Sequence, residues 1–303
     1  MSNSLVGKSL IGAVAAVLLM ALGFATMVSA VDQGGEPAER ITMSPSSTDV
    51  NVDAGESVQG TMRIINDGDV AYGFSVYARP YSVSNERYEP NFTDQRTNTD
   101  VYTWVQFEQT SYQEQPGESV EIPYTLRVPA DAAPGGHYGV LFAETDEQVL
   151  SGTGVARKKR VGNLLYVTVK GTYTTAGELK EFILPFWQTS APLQSSARIA
   201  NTGNSDFNAT VSTVAKDLFG RTKFTYTGEP IILPGTTRLI EMKWENAPNF
   251  GIFKVDQTVR FLDKTHRNSG LVLLLPKWAP VTLIIIVGAG AAYALLQRRT
   301  TRR

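Results

Sequence analysis

The chain has no cysteine and only two histidines, His137 and His266, among its 303 residues. The first absence excludes disulfides, thiolate nucleophiles and cysteine-ligated metal or iron–sulfur sites. The second leaves no metal-spaced pair of imidazoles, and a zinc site ordinarily draws on several His or Cys ligands. Acidic residues are missing from both ends, since all 29 lie between Asp32 and Asp263. Of the 28 basic residues, Lys8, Lys277 and four tail arginines fall outside residues 31–276, so that span holds 22 and carries a net charge of −7. An acidic body does not suit nucleic acid, whose phosphates call for a basic face. There is no phosphate-cradling glycine loop and no Gly-x-Ser-x-Gly elbow. The acidic groups Asp49 with Asp53, and Glu144 with Asp146 and Glu147, read as solvated strand ends and turns. Calcium on Asp67, Asp69 or the Asp146/Glu147 turn is the weaker reading. The expectation is a protein without catalytic activity and without a cofactor.

Long uncharged apolar runs occur at the two ends. Lys8 precedes Leu10–Val28, and Val28-Ser29-Ala30 places small or compact residues at a cleavage site, so residues 1–30 read as a signal peptide. An uncleaved anchor would deliver the following residues outside just the same. Residues 31–40 form a flexible polar spacer. Ala279–Leu296 has the length of a bilayer core, with Trp278 and Tyr293 near its ends, so residues 277–297 read as a transmembrane helix. Arg298, Arg299, Arg302 and Arg303 then hold the tail, 298–303, on the cytoplasmic side. The sequence therefore predicts a single-pass cell-membrane protein with its body outside the cell.

Between the ends, short alternating runs are separated by turn residues, with no sustained helical period. The fold class expected is all-β, with two tandem immunoglobulin-like β-sandwich domains, 41–174 and 175–276. The stretch Trp104–Ser111 reads as one strand, Phe253–Leu262 as another, and Leu271–Leu275 as the last. An internal repeat supports the division. Ile64-Ile65-Asn66-Asp67-Gly68 returns as Ile199-Ala200-Asn201-Thr202-Gly203, Pro116-Gly117 as Pro234-Gly235, and Ala133-Pro134 as Ala247-Pro248. The Asn-x-Gly pieces are expected to supply the positive-φ residues of tight turns. Whether the domains pack rigidly or hinge near Thr172–Gly177 stays open.

Two segments are candidates for recognition. Tyr81–Tyr102 is long and polar, and Tyr88, Phe92, Tyr102 and Trp104 could present aromatic faces to a sugar or peptide, with Arg87, Arg96 and several asparagines between them. An ordinary loop is the alternative. Val149–Arg160 is a glycine-rich hairpin tip ending in Arg157, Lys158, Lys159 and Arg160, either a solvated turn or a patch for an anionic polymer or lipid head group. Asn91-Phe92-Thr93 and Asn208-Ala209-Thr210 are formal glycosylation sequons.

Several of these pieces carry a family resemblance: Ser44-Pro45, Arg63–Gly68, Val128-Pro129 with Ala133–Phe142, and Arg160–Val169. With the plan of signal peptide, two sandwiches, membrane helix and basic tail, the chain resembles the WxL-interacting proteins of Gram-positive cell surfaces. The resemblance implies peptidoglycan binding by the first domain and contact with a host or partner protein by the second. The function expected is a membrane-anchored binding protein for cell-wall polymer (peptidoglycan) or another surface protein. A scaffold or chaperone acting on a secreted partner by β-strand addition is the alternative, with an enzyme subunit or sensor behind both. Exposed aromatics around Tyr88–Trp104 would favour the wall reading, and an unpaired sandwich edge the strand-addition reading.

Overall fold

The structure, a computed structural model, describes residues 39–96, 98–149 and 156–300, with 148, 149, 156 and 293–300 given by their backbone alone. The expected signal peptide, most of the spacer and Arg302 and Arg303 lie outside the described residues, as do the side chains of Arg298 and Arg299.

Strands Ile41–Ser44 (β1), Ser47–Val52 (β2), Ser57–Asn66 (β3), Tyr72–Pro80 (β4), Val105–Phe107 (β5), Ser111–Glu114 (β6), Ser119–Arg127 (β7), Gly135–Thr145 (β8) and Arg160–Val169 (β9) build a first sandwich. Its two sheets have the orders β1-β3-β7-β5 and β2-β9-β8-β4-β6. The chain changes sheets at Pro45, since β1 pairs antiparallel with β3 and β2 parallel with β9. A second sandwich follows, from Gly177–Ile183 (β10), Trp187–Gln188 (β11), Leu193–Asn201 (β12), Thr210–Lys216 (β13), Thr222–Gly228 (β14), Thr237–Trp244 (β15), Gly251–Phe261 (β16) and Lys264–Leu274 (β17). Its sheets run β10-β12-β15 and β11-β17-β16-β13-β14. The fold is all-β, in two immunoglobulin-like sandwiches.

Period-two alternation turns one face of each strand inward. In β3, Met62, Ile64 and Asn66 are buried while Thr61 and Arg63 are exposed. Met62 and Ile64 lie opposite Ile122 and Val120 of β7, within a core that also holds Phe74, Val101, Trp104 and Leu165. The β8 strand departs from alternation, with Gly135–Ala143 buried without a break. Leu141 and Ala143 face that core, whereas Tyr138, Val140 and Phe142 face a second cluster with Tyr81, Val83 and Leu233. Both faces of the strand are covered, so both are apolar.

The expected strand Trp104–Ser111 is divided. Val101–Trp104 is a short helix (α1), after which β5 joins one sheet and β6 the other. The expected break between Leu262 and Leu271 is absent. Here β16 and β17 form one long hairpin, turned by Leu262 and Asp263 at φ of 44° and 60°. The polar run Lys264–Gly270 is strand because its backbone pairs with β16, not because its side chains are apolar.

The Asn-x-Gly repeats also work differently from expectation, since neither Gly68 nor Gly203 has positive φ. Instead the asparagine side chain is a buried hook. Asn66 Nδ2 donates to the Val70 carbonyl at 2.9 Å, and its Oδ1 accepts from Gly68 N at 3.0 Å. In the second sandwich Asn201 Nδ2 donates to the Ser205 and Ile232 carbonyls at 2.8 Å, and its Oδ1 accepts from Gly203 N at 2.9 Å. The Pro-Gly landmarks close the same knot: Gly117 N donates to the Asn66 carbonyl at 2.9 Å and Gly235 N to that of Asn201 at 3.1 Å. These two glycines do adopt positive φ, 78° and 67°.

After β17 the chain enters a helix, Trp278–Thr300 (α2). Val281 and Leu283–Val287 are 56–71% exposed. Over the residues whose side chains are described, which end at Ala292, no helix is long and apolar enough to cross a membrane.

Candidate functional site

The four aromatic residues of the candidate ligand loop do not share a surface. Trp104 is 4% exposed and lies in the first core, its ring 4.8 Å from that of His137. Phe92 packs edge-on against Phe142 at 4.9 Å and beside Tyr81 at 6.3 Å. Tyr88 points into the second sandwich. Its hydroxyl accepts from Leu233 N at 2.8 Å and bonds the Thr236 hydroxyl at 2.6 Å, and the Arg238 guanidinium lies 4.2 Å above its ring. Burial pushes the Tyr88 phenol pKa up. Tyr102 is half-buried. The exposed aromatic platform is therefore absent, and the loop between β4 and α1 is a clamp between the sandwiches.

Other groups extend this junction. Glu86 is gripped twice: its carbonyl accepts from Leu239 N of β15 at 2.7 Å, and its carboxylate takes both arms of the Arg198 fork, the Nε at 2.8 Å. The Arg198 fork holds the Glu86 carboxyl below its ordinary pKa. Tyr138 donates to Asp206 Oδ1 at 2.8 Å, and Asp206 N donates back to the phenol oxygen at 3.1 Å. Burial raises the Asp206 pKa, and the Tyr138 phenol shifts up as well. Gly136 N donates to the Asn204 carbonyl at 2.9 Å. A cavity of about 20 Å³ remains between Tyr81, Tyr138 and Leu233, room for about one water. So many directional bonds across one interface fix the two sandwiches as a single body.

The basic patch is dispersed. Arg160 lies over the Phe142 ring at 4.3 Å and the Phe92 ring at 5.7 Å. Lys158 approaches Glu144 at 3.9 Å, the Lys159 ammonium bonds the Glu39 carbonyl, and Arg157 is exposed. Residues 150–155 of this hairpin lie outside the described residues.

The histidines are structural in geometry. His137 Nδ1 meets Asp100 Oδ1 at 2.8 Å and its Nε2 meets the Ala133 carbonyl at 2.8 Å. Burial alone would depress its pKa, but Asp100 and the Ala133 carbonyl outweigh it and the net shift is upward. His266 stacks on Phe261 at 5.4 Å. Among the described residues no three His, Cys, Asp or Glu side chains are placed to hold a metal ion.

What the sequence pattern does not reveal is an open strand edge. Strand β17 runs eleven residues, but β11 covers only Leu273 and Leu274. Leu273 N–H points away from β16, donating to the Phe186 carbonyl at 2.7 Å. Pairing with β16 is unbroken from Leu274 to Lys264. Alternation therefore turns the N–H and C=O of Thr265, Arg267, Ser269 and Leu271 outward too. None of these groups has a backbone partner among the described residues. The edge of β15, by contrast, is partly closed by Glu86.

No protein-family model matches the chain, and no curated protein matches it in sequence. Among solved structures, the class 5 fimbriae chaperone CfaA is 12% identical, with a TM-score of 0.39 over 78% of this chain and 100% of that one. The YadV chaperone is 11% identical, with a TM-score of 0.38 over 77% and 99%. The Salmonella enterica SafA pilin–SafB chaperone complex gives 8% identity and a TM-score of 0.39 over 80% and 98%. Likeness this distant carries no statement about what the present chain binds.

Proposed function

We propose that the chain is a membrane-anchored, extracytoplasmic binding protein that captures an extended segment of a partner polypeptide as an added strand on β17. The open edge of β17 is the observation that carries this reading: four consecutive outward-facing residues offer paired donors and acceptors over the length of an ordinary strand. Lys264 and Arg267 on the strand favour a partner segment with acidic side chains and discourage pairing between copies of the edge itself. The junction supports the same reading, because a rigid body presents an edge without first ordering it. Anchoring by α2, with the two sandwiches outside, completes the proposal. The reading is of a binder without catalysis. The saccharide alternative loses its exposed aromatic platform to the junction.

A photo-crosslinking residue at Thr265 of the full chain, in the envelope of its own cell, tests this. A polypeptide adduct should form there and not from Thr225 on β14. It should vanish with Arg267→Pro, which removes one outward N–H and leaves the ladder to β16 intact. Adducts that survive the proline, or equal yields from both positions, refute strand addition at β17.

A further inference from the structure

The end of the second sandwich nearest α2 is apolar where it should be polar. Phe186 is 67% exposed, Trp187 47%, Phe250 51%, Ile252 41% and Trp278 60%. These side chains are gathered from three separate segments. Trp187 pairs with Leu273 and Leu273 with Ile252, so the three occupy one row across the outer face of the sheet. The Phe250 ring meets the Trp278 ring edge-on at 5.7 Å, and Trp187 Nε1 donates to the Leu275 carbonyl at 2.9 Å, tying the row to the start of the helix.

Charge follows the same boundary. Residues 184–197 contain no charged side chain, 246–255 only Lys254, and 268–278 only Lys277. These three segments hold two lysines and no acid, with Asp256 at their border, 3.9 Å from Lys254.

We infer that this base is a membrane-interface collar: Phe186, Trp187, Phe250 and Ile252 sit among lipid head groups around the entry of α2, with Lys254 and Lys277 against the phosphates. Aromatic rings with one apolar and one polar side favour that depth, and lysine stems can lie along the apolar surface while the ammonium reaches phosphate. The bilayer is the occupant because the row is continuous with the exposed apolar face of α2. The collar fixes the tilt of the sandwich on the membrane, and with it the direction in which β17 faces. This inference rests on the anchoring role proposed for α2.

The absence of native cysteine makes the test direct. Single variants Phe186→Cys, Ile252→Cys, Glu229→Cys and Ile284→Cys of the full chain are labelled with a polarity-sensitive fluorophore and placed in nanodiscs of mixed neutral and anionic lipid. Lipids carrying a nitroxide near the head group serve as quencher. Labels at 186, 252 and 284 should lose emission, and the label at 229, just past the opposite end of β14 where Gly228 lies level with Val211 and Val259, should not. If 284 is quenched while 186 and 252 behave like 229, the collar is refuted and the anchor stands. If 284 is unquenched, the anchoring reading fails and the collar with it. Labels at 186 and 252 that are shielded from water yet unquenched would mark a protein contact, which also refutes the collar.

Discussion

Glu114→Gln should flatten the pH dependence of stability of the first sandwich. Glu114, at the end of β6, is 2% exposed, and neither carboxyl oxygen has a well-formed hydrogen bond. Burial raises its pKa from 4.5 to about 7; the Val120 amide opposes the shift, while Glu118 and Asp67 add to it. A rise of that size corresponds to about 3 kcal/mol of preference for the neutral acid. The folded pKa lies above the unfolded one, so this stabilising protonation is complete below pH 4.5 and is lost as pH rises through about 7. The wild-type chain should therefore lose about 2–3 kcal/mol relative to Glu114→Gln between pH 5 and pH 8. Urea unfolding of the detergent-solubilised chain, followed by the 19F signal of a fluorotryptophan at buried Trp104, reads the right sandwich. His137 titrates in both proteins, so its contribution cancels in the difference. Parallel pH profiles for the two proteins would show that Glu114 is solvated or paired, and the reasoning from its burial would be wrong.

Removing either asparagine hook should unfold its own sandwich earlier. Asn66→Ala and Asn201→Ala each strand buried backbone groups, at a cost of about 2–3 kcal/mol, visible as a lowered urea midpoint of one transition. Tyr88→Phe deletes the acceptor of Leu233 N and the bond to Thr236, about 1–2 kcal/mol at the junction. Faster hydrogen exchange of the Leu233 amide is the expected signature, and unchanged exchange would mean that the hydroxyl does not hold the sandwiches together. The His137 imidazole, titrated by NMR, should protonate above its ordinary value of 6.5. The stability from that charged ring is complete below the unfolded pKa and fades as pH rises through the folded one. His137→Gln should remove this slope.

Much of the architecture is visible in the sequence because burial imposes a period. Strands such as β3 and β13 alternate cleanly, and the chain repeats its landmarks where each sandwich repeats its knot. The reason for the repeat is less visible. An Asn-x-Gly triplet suggests a turn, and only the buried side chain shows that Asn66 and Asn201 bind carbonyls while Gly117 and Gly235 supply the left-handed backbone. At Gly203 glycine is required for another reason, since a Cβ there would collide with the Thr174 carbonyl. The Leu262-Asp263 turn lacks the usual Asn-Gly or Asp-Gly signal, which is why the β16–β17 hairpin could not be read through it.

The functional surfaces were illegible for a different reason. Aromatic rings in a long polar loop look alike whether they await a ligand or fill a junction. The choice is decided by residues far along the chain, such as Leu233 and Thr236 for Tyr88, which no local pattern connects. The edge of β17 is hidden more deeply still. Its recognition elements are backbone N–H and C=O groups common to every sequence, and what exposes them is the shortness of β11, which pairs at only two positions. Side-chain periodicity marks the surfaces that a protein buries within itself. An open edge is defined by a neighbour that stops short, so it can be found only after the strands have been placed.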